Sequence, residues 1–217
     1  MKKLNQYIQE KFELNKNTKI IYNYHPKTKE ELRKILEERL AEDKDANLND
    51  IDVSEITDMG LVNDIGLFED LDPHNIDISR WDVSNVKDMS NMFVGCLNLK
   101  CNLSKWDVSN VTDMSNMFFD CENFNSDLSN WNVSNVTNIE NMFFHCHKFN
   151  SGYPARAFNT ALSKWDVSNV TDMNSMFRNC YNFNCDLNNW DVSKVINMDN
   201  IFKECNSLKN KPSWYEK

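Results

Sequence analysis

The stretch WDVSNVTDMSNMF at residues 106–118 decides the fold of this chain, because closely similar stretches occur five times. Each copy begins at a tryptophan, and the spacings between successive copies are 25, 25, 34 and 25 residues. The five tryptophans are Trp81, Trp106, Trp131, Trp165 and Trp190. A degenerate copy precedes them at residues 51–59. Such a period indicates a repeat protein, in which each unit buries its apolar side against its neighbours.

Two spacings of apolar residues alternate within a unit. Around Trp106 and Val108 the spacing is two, which predicts a short strand with one buried face. From Val111 to Phe124 it is three, which predicts tight turns or 3₁₀ pieces wound around a core. We therefore predict an α/β repeat fold, in which about 25 residues make one coil and the strands of successive coils form a parallel ladder.

Stacking of the coils in register predicts columns of identical side chains that run along the molecule. The phenylalanine column is Phe93, Phe118, Phe143, Phe177 and Phe202. The cysteine column is Cys96, Cys121, Cys146, Cys180 and Cys205, and we expect its thiols to act as small buried apolar groups. The asparagine column is Asn85, Asn110, Asn135 and Asn169, whose side chains we expect to hydrogen-bond backbone groups.

The unit resembles the BspA-type leucine-rich repeats of bacterial surface proteins, in the subclass abundant in mycoplasma and gut-bacterial proteins. The run at residues 106–118, followed by Cys121, carries the resemblance, which covers residues 46–214. It implies a leucine-rich-repeat-like solenoid with a parallel strand ladder, and a role in adhesion or protein binding. Surface members carry secretion signals and anchors. None is visible here, so an intracellular or phage-encoded member is expected.

Residues 1–45 do not repeat. Thr28 and Glu31 form a capping-box motif, which predicts that a helix over Leu32, Leu36 and Leu40 begins there. We expect residues 1–45 to form either a small α/β cap on the solenoid or a separate docking segment, and residues 46–217 to form about six coils. The 34-residue spacing predicts a loop insertion near residues 150–158.

Composition and charge narrow the range of partners. The net charge of −9 disfavours nucleic acid and anionic membrane surfaces as partners. No signal peptide or membrane-spanning apolar run is visible, so a cytoplasmic or virion-associated protein is expected. The seven cysteines, an odd number, then favour free thiols over a disulfide framework.

Candidate partner-binding residues fall into three groups. Phe119 and Phe144 each follow a core phenylalanine and would form an exposed apolar patch. Tyr153 and Arg156 lie in the predicted loop, which could equally be a neutral insertion. An outward column would either receive a partner or form a solvated, charge-compensated face. Its members are Asp82, Asp107, Asn132, Asp166 and Asp191.

The sequence gives little support for metal binding or catalysis. His145, Cys146 and His147 are metal-ligand types, but Cys146 should point inward and the histidines elsewhere, so no metal site is expected. No catalytic or cofactor-binding motif is present. We therefore expect a non-enzymatic scaffold that binds a protein partner through the repeat surface, without a cofactor. The alternative is a structural component of a phage virion or other assembly, anchored by the N-terminal segment.

Overall fold

Tight turns, rather than strands, build the repeats in the part of the chain that the structure describes. The computed structural model describes residues 21–149 and 162–215. One α-helix, α1, spans Lys29–Glu42, and a 3₁₀ turn, η1, spans Leu162–Lys164. In this described part, β pairing is limited to eight isolated bridges, and no β-strand forms.

The predicted α/β class and the leucine-rich-repeat-like solenoid with a parallel strand ladder are therefore wrong. Trp106 and Val108, the expected strand, lead into a turn in which the Val111 N–H donates to the Val108 carbonyl at 3.0 Å. The inter-repeat bridges occur later in each unit, as at Asp113. They remain single because the backbone adopts a positive φ of 54° at Asn116, three residues on, and an extended strand cannot continue through that conformation.

Overlapping turns account for the spacing of three. In the second unit, the Met117 N–H donates to the Met114 carbonyl at 3.2 Å, and the Cys121 N–H donates to the Phe118 carbonyl at 3.1 Å. The third residue of each turn has a positive φ, as in a type II turn. The expectation of tight turns wound around a core is confirmed for this part of the unit.

Backbone hydrogen bonds tie each repeat to the next. Every junction between the five clear units carries four bonds, in which N–H groups of one unit donate to carbonyls of the following unit. In the junction between the second and third units, the donors are Met114, Asn116, Phe118 and Asp120, and the acceptors are Asn138, Glu140, Met142 and Phe144, at 2.8–3.0 Å. The polar backbone is therefore satisfied between repeats without a continuous sheet.

The core consists of the predicted columns, and their stacking in register is confirmed. Neighbouring rings of the phenylalanine column are parallel, with centroids 5.5–6.0 Å apart. Each tryptophan also donates its indole N–H to a carbonyl of the preceding unit, as Trp131 does to Leu103 at 3.0 Å. Because a core aromatic contacts its counterparts on both sides, a unit is stable only within the stack.

Helix α1 covers the N-terminal end of this core. Thr28 caps the helix and accepts a hydrogen bond from the Glu31 N–H, as predicted. Leu32, Leu36 and Leu40 are buried, so α1 closes the stack there. The backbone of Tyr24 makes one bridge, and no strand forms in the described part of the N-terminal segment. Residues 1–20 and the predicted insertion at 150–158 lie outside the described residues.

Candidate functional site

The outward column is exposed, and its side chains shape turns. Asp107 accepts a hydrogen bond from the Ser109 N–H at 3.0 Å, and Asp166 accepts one from the Ser168 N–H at 3.1 Å. These serines lower the pKa of both carboxyl groups below the usual value. The same bond recurs in every copy. One side-chain oxygen of each member is therefore used locally, and all five side chains are exposed. The residues of this column are Asp82, Asp107, Asn132, Asp166 and Asp191.

The asparagine column binds backbone, as expected, but it does so across repeats. The Asn110 side-chain amide donates to the Ser84 carbonyl at 2.7 Å, and Asn135 donates to Ser109 at 2.6 Å. In the last unit Lys194 takes this place and donates to the Asn169 side chain at 2.6 Å. The side chains at these positions therefore link neighbouring repeats by hydrogen bonds.

The cysteine column is buried, which confirms its predicted place in the core. The Cys121 thiol donates to the Phe93 carbonyl at 2.9 Å, and Cys146 donates to Phe118 at 3.1 Å. Burial raises the pKa of both thiols well above the ordinary value. Because the thiolate is the reactive form, these cysteines are unsuited to nucleophilic chemistry.

Phe119 and Phe144 form the centre of a surface cluster. Their rings are parallel with centroids 4.6 Å apart, and the Arg178 guanidinium lies 5.3 Å from the Phe144 centroid. Both phenylalanines are half-buried, so the predicted exposed pair is present but only partly accessible. Their stacking follows from equivalent positions in neighbouring repeats, one unit apart.

Two histidines and a tyrosine extend this cluster. His145 lies 4.3 Å from Phe144 between ring centroids, and the His147 ring stacks on Tyr181 at 4.6 Å. Tyr181 is 43% exposed, so the cluster reaches solvent. We call the whole set the aromatic ridge, and its members are Phe119, Phe144, His145, His147, Arg178 and Tyr181.

Carboxylates flank the ridge. The His145 Nδ1 lies 2.6 Å from the Asp120 carboxylate, and the His147 Nδ1 lies 3.9 Å from that of Glu122. Arg178 Nε and His147 Nε2 are buried and have no hydrogen-bond partner within the described ranges. Arg178 also contacts the face of the Phe144 ring, and His147 stacks on Tyr181, so aromatic contacts contribute to the placement of both side chains.

The backbone under the ridge is held in an unusual conformation. Asp120 and His145 have φ values of 57° and 60°, a region that most non-glycine residues avoid. The same position in the first unit is Gly95, with φ of 71°. The N–H groups of Asp120 and His145 bond to carbonyls of the following repeats at 2.9 Å. This bonding fixes the turn and therefore the direction of the neighbouring rings.

Only some of the predicted partner-binding residues contact one another in the structure. Phe119 and Phe144 meet in the ridge, whereas Tyr153 and Arg156 lie outside the described residues. The partner-binding candidates did not include Arg178 and Tyr181. Column position could have identified both, since Arg178 occupies the place of Phe144, and Tyr181 that of His147, in the next repeat.

A polar groove adjoins the ridge. A cavity of about 250 Å³ is lined by Glu122, His147, Lys148 and Tyr181, together with two asparagines. The described ranges contain no group of three or more His, Cys, Asp or Glu side chains that could hold a metal ion. No helix among the described residues is long and apolar enough to cross a membrane.

Comparison with known proteins gives one match, to a family model. The model is described as Mycoplasma protein of unknown function, DUF285, and it matches residues 62–155 and 153–216. These ranges contain the five clear repeats and the whole aromatic ridge. No curated protein and no solved structure matches the chain significantly.

Proposed function

The chain belongs to the DUF285 family of mycoplasma proteins, and we propose that it is a non-enzymatic module that binds a protein partner through the aromatic ridge. The stacked pair Phe119 and Phe144, with Arg178 over one ring, is the observation that carries this proposal. Aromatic residues and arginine are enriched at the centres of protein interfaces, where they contribute much of the binding free energy.

The composition of the ridge suits a protein partner. Phe119 and Phe144 offer apolar faces, while Tyr181 and Arg178 add hydrogen-bond donors beside them. Asp120 and Glu122 supply a polar, acidic rim. An apolar centre with a polar rim is the usual arrangement of a protein-binding patch.

Rigidity of the ridge favours binding. The backbone turns below it are bonded to the next repeat, and the rings already stack on one another. Little rotamer freedom is therefore lost when a partner docks, and each side chain that is ordered beforehand saves roughly 0.5–1.5 kcal/mol of that cost.

The resemblance of the unit to BspA-type repeats of bacterial surface proteins supports the same function, since that resemblance implies protein binding. The outward column with Asp107 and Asp166 remains a second candidate surface. Its acidic oxygens would suit a basic partner, although one oxygen of each side chain is used in a turn.

Affinity capture with three forms of the full-length chain tests the proposal. The forms are the wild type, Phe119→Ala/Phe144→Ala, and Asp107→Asn/Asp166→Asn, whose asparagines mimic the natural Asn132. Proteins captured from the native source are identified and quantified, and circular dichroism checks that each variant is folded. We expect the double alanine variant to lose a partner that the asparagine variant retains.

The opposite pattern, in which the asparagine variant loses the partner and the alanine variant keeps it, would move the binding surface to the outward column. Equal capture by all three forms would refute a role for either surface.

A further inference from the structure

One row of variable side chains crosses the aromatic ridge and changes from apolar to basic along the stack. We call it the variable row, and its members occupy equivalent positions in the five clear repeats: Val94, Phe119, Phe144, Arg178 and Lys203. The Phe119 and Phe144 ring centroids are 4.6 Å apart, and the Arg178 guanidinium lies 5.3 Å from the Phe144 centroid. Lys203 is directly followed by Glu204, so Arg178 is the cation of the row without an acidic neighbour in the chain.

Arg178 differs from the other described arginines that are withdrawn from solvent. Arg33 is buried and pairs with Glu37 at 2.8 Å, and the half-buried Arg39 pairs with Asp50 at 3.0 Å. Arg178 is half-buried as well, but within the described ranges it forms no ion pair and its Nε has no hydrogen-bond partner. Because a guanidinium that is partly removed from water is costly without a carboxylate, Arg178 is suited to receive one from a partner.

Charges beside the variable row give it a direction. In the second repeat, the positions one and three residues after the row residue hold carboxylates, those of Asp120 and Glu122. In the repeat of Arg178, the same two positions hold the uncharged Asn179 and Tyr181. A carboxylate that approaches the row is therefore repelled near the second repeat and attracted at Arg178.

An extended polypeptide segment has the spacing to use both parts of the row. Side chains on one face of such a segment are two residues apart, which corresponds to about 6.6–6.8 Å. The step between the two rings is 4.6 Å, and that from the Phe144 ring to the Arg178 guanidinium is 5.3 Å. One side chain can therefore rest on the pair of rings while the next on the same face reaches the guanidinium.

Building on the proposed function, we propose that the partner presents an extended segment in which an apolar side chain and an Asp or Glu are two residues apart. The apolar side chain packs on Phe119 and Phe144, and the carboxylate binds the Arg178 guanidinium. A carboxylate and a guanidinium match in shape and form charge-assisted hydrogen bonds, so this contact adds specificity to an apolar patch. The partner class is therefore an acidic, apolar polypeptide segment.

Residues of this chain outside the described ranges are the first alternative occupants of the row. The carboxylate side chains among them are Glu10, Glu13 and Glu216, and residues 150–161 contain none. A Glu10→Gln/Glu13→Gln/Glu216→Gln variant therefore distinguishes the chain itself from a partner. We expect this variant to bind an acidic probe as the wild type does.

NMR titration of the ¹⁵N-labelled full-length chain with two blocked pentapeptides tests this proposal. The probes are acetyl-Thr-Phe-Thr-Asp-Thr-amide and its twin with Asn in place of Asp, so they differ in charge at one side chain. The amide signals of Phe119, Phe144 and Arg178 report binding, and circular dichroism checks that each variant is folded. We expect the wild type to bind the Asp peptide about tenfold more tightly than the Asn peptide, because only the first makes ionic hydrogen bonds.

Two arginine substitutions form a matched pair. Arg178→Gln removes the proposed carboxylate receptor, and Arg80→Gln removes the same charge from an exposed arginine elsewhere on the stack. Arg178→Gln should bind the two peptides about equally, whereas Arg80→Gln should keep the wild-type preference for the Asp peptide. Phe119→Ala/Phe144→Ala should weaken binding of both peptides by a similar factor, since both carry the same phenylalanine.

Absent or equal binding of the two peptides by the wild type would overturn the proposal, and so would a preference that survives in Arg178→Gln. Tighter binding of the Asp peptide by the triple glutamine variant would also overturn it, because the chain itself would then occupy the row. Any of these results combined with ridge-dependent capture would leave the proposed function standing and remove only the acidic specificity. Capture that does not depend on the ridge would refute the proposed function, and this inference with it.

Discussion

Two adjacent phenylalanines should respond very differently to the same substitution. Phe118 is fully buried, and its ring centroid lies 4.0 Å from that of Phe124 and 5.5 and 5.7 Å from those of Phe93 and Phe143. Phe119 is half-buried, and its ring stacks on that of Phe144. Substitution of each by alanine therefore separates a core contact from a surface contact at neighbouring positions.

The surroundings of the two rings determine how much unfolding free energy each substitution should remove. Phe118→Ala removes a ring from the middle of a column and leaves a cavity that two repeats share, so we expect a loss of about 3–5 kcal/mol in the free energy of unfolding. Phe119→Ala removes mainly one stacking contact, which contributes about 1 kcal/mol. The core substitution should therefore destabilise the chain about three to five times as much.

Urea unfolding followed by tryptophan fluorescence measures both losses, since the six tryptophans are spread along the repeats. If the slope of the unfolding free energy against urea is unchanged, the shifts in midpoint should have the same ratio as the losses. Comparable shifts for the two variants, or a larger one for Phe119→Ala, would refute the assignment of these columns to core and surface.

Three further predictions concern the columns of polar and sulfur-containing side chains. Asn110→Ala removes the bond to the Ser84 carbonyl and should lower the urea midpoint by an amount corresponding to roughly 0.5–1.5 kcal/mol, whereas Asn110→Asp, which cannot donate, should show a similar or larger loss. The lowered pKa of Asp107 means that its carboxylate stabilises the fold above the unfolded-state pKa and that this contribution is lost as pH falls through the folded pKa. Thermal melts of Asp107→Asn from neutral pH to pH 3 should accordingly show a weaker pH dependence than wild-type melts, and an equal dependence would contradict the role of the Ser109 bonds. Cys121 should resist alkylation by iodoacetamide in the folded chain and react once the chain is unfolded in urea, and mass spectrometry of the modified peptides would reveal a rapid native reaction if that were wrong.

The columns could be predicted because they follow from the repeat period alone. Once units of 25 residues stack, Phe118 must lie near Phe93 and Phe143, and Cys121 near Cys96, whatever path the chain takes within a unit. The helix over Leu32 to Leu40 was equally predictable, since the cap at Thr28 is a local signal.

The strand could not be predicted correctly because a spacing of two has two physical origins. Trp106 and Val108 alternate with Asp107, as in a strand, yet Asp107 accepts a hydrogen bond from Ser109 and closes a turn. Period alone does not distinguish an alternating strand from an aspartate-centred turn between two buried residues. The single bridges at Asp113 and its counterparts lie outside the predicted strand.

Only part of the aromatic ridge could be predicted from the sequence. Phe119 and Phe144 belong to a column whose residue varies from repeat to repeat, so the sequence alone marks it as a variable surface position. Arg178 occupies the same variable column in the next repeat, and Tyr181 the place of His147, but that these side chains contact one another could be seen only in the structure.

The sequence by itself determined the repeat length, the residues that share a column and the start of helix α1 at Thr28, because these depend on periodicity and on local hydrogen bonding. Only the tertiary structure decided that the units are built from turns and that four N–H groups at alternate residues of one clear unit bond to carbonyls of the next. The physical reason is that backbone hydrogen bonds between repeats depend on φ values such as those at Asn116 and Asp120, and these positive values are stabilised by the neighbouring repeat.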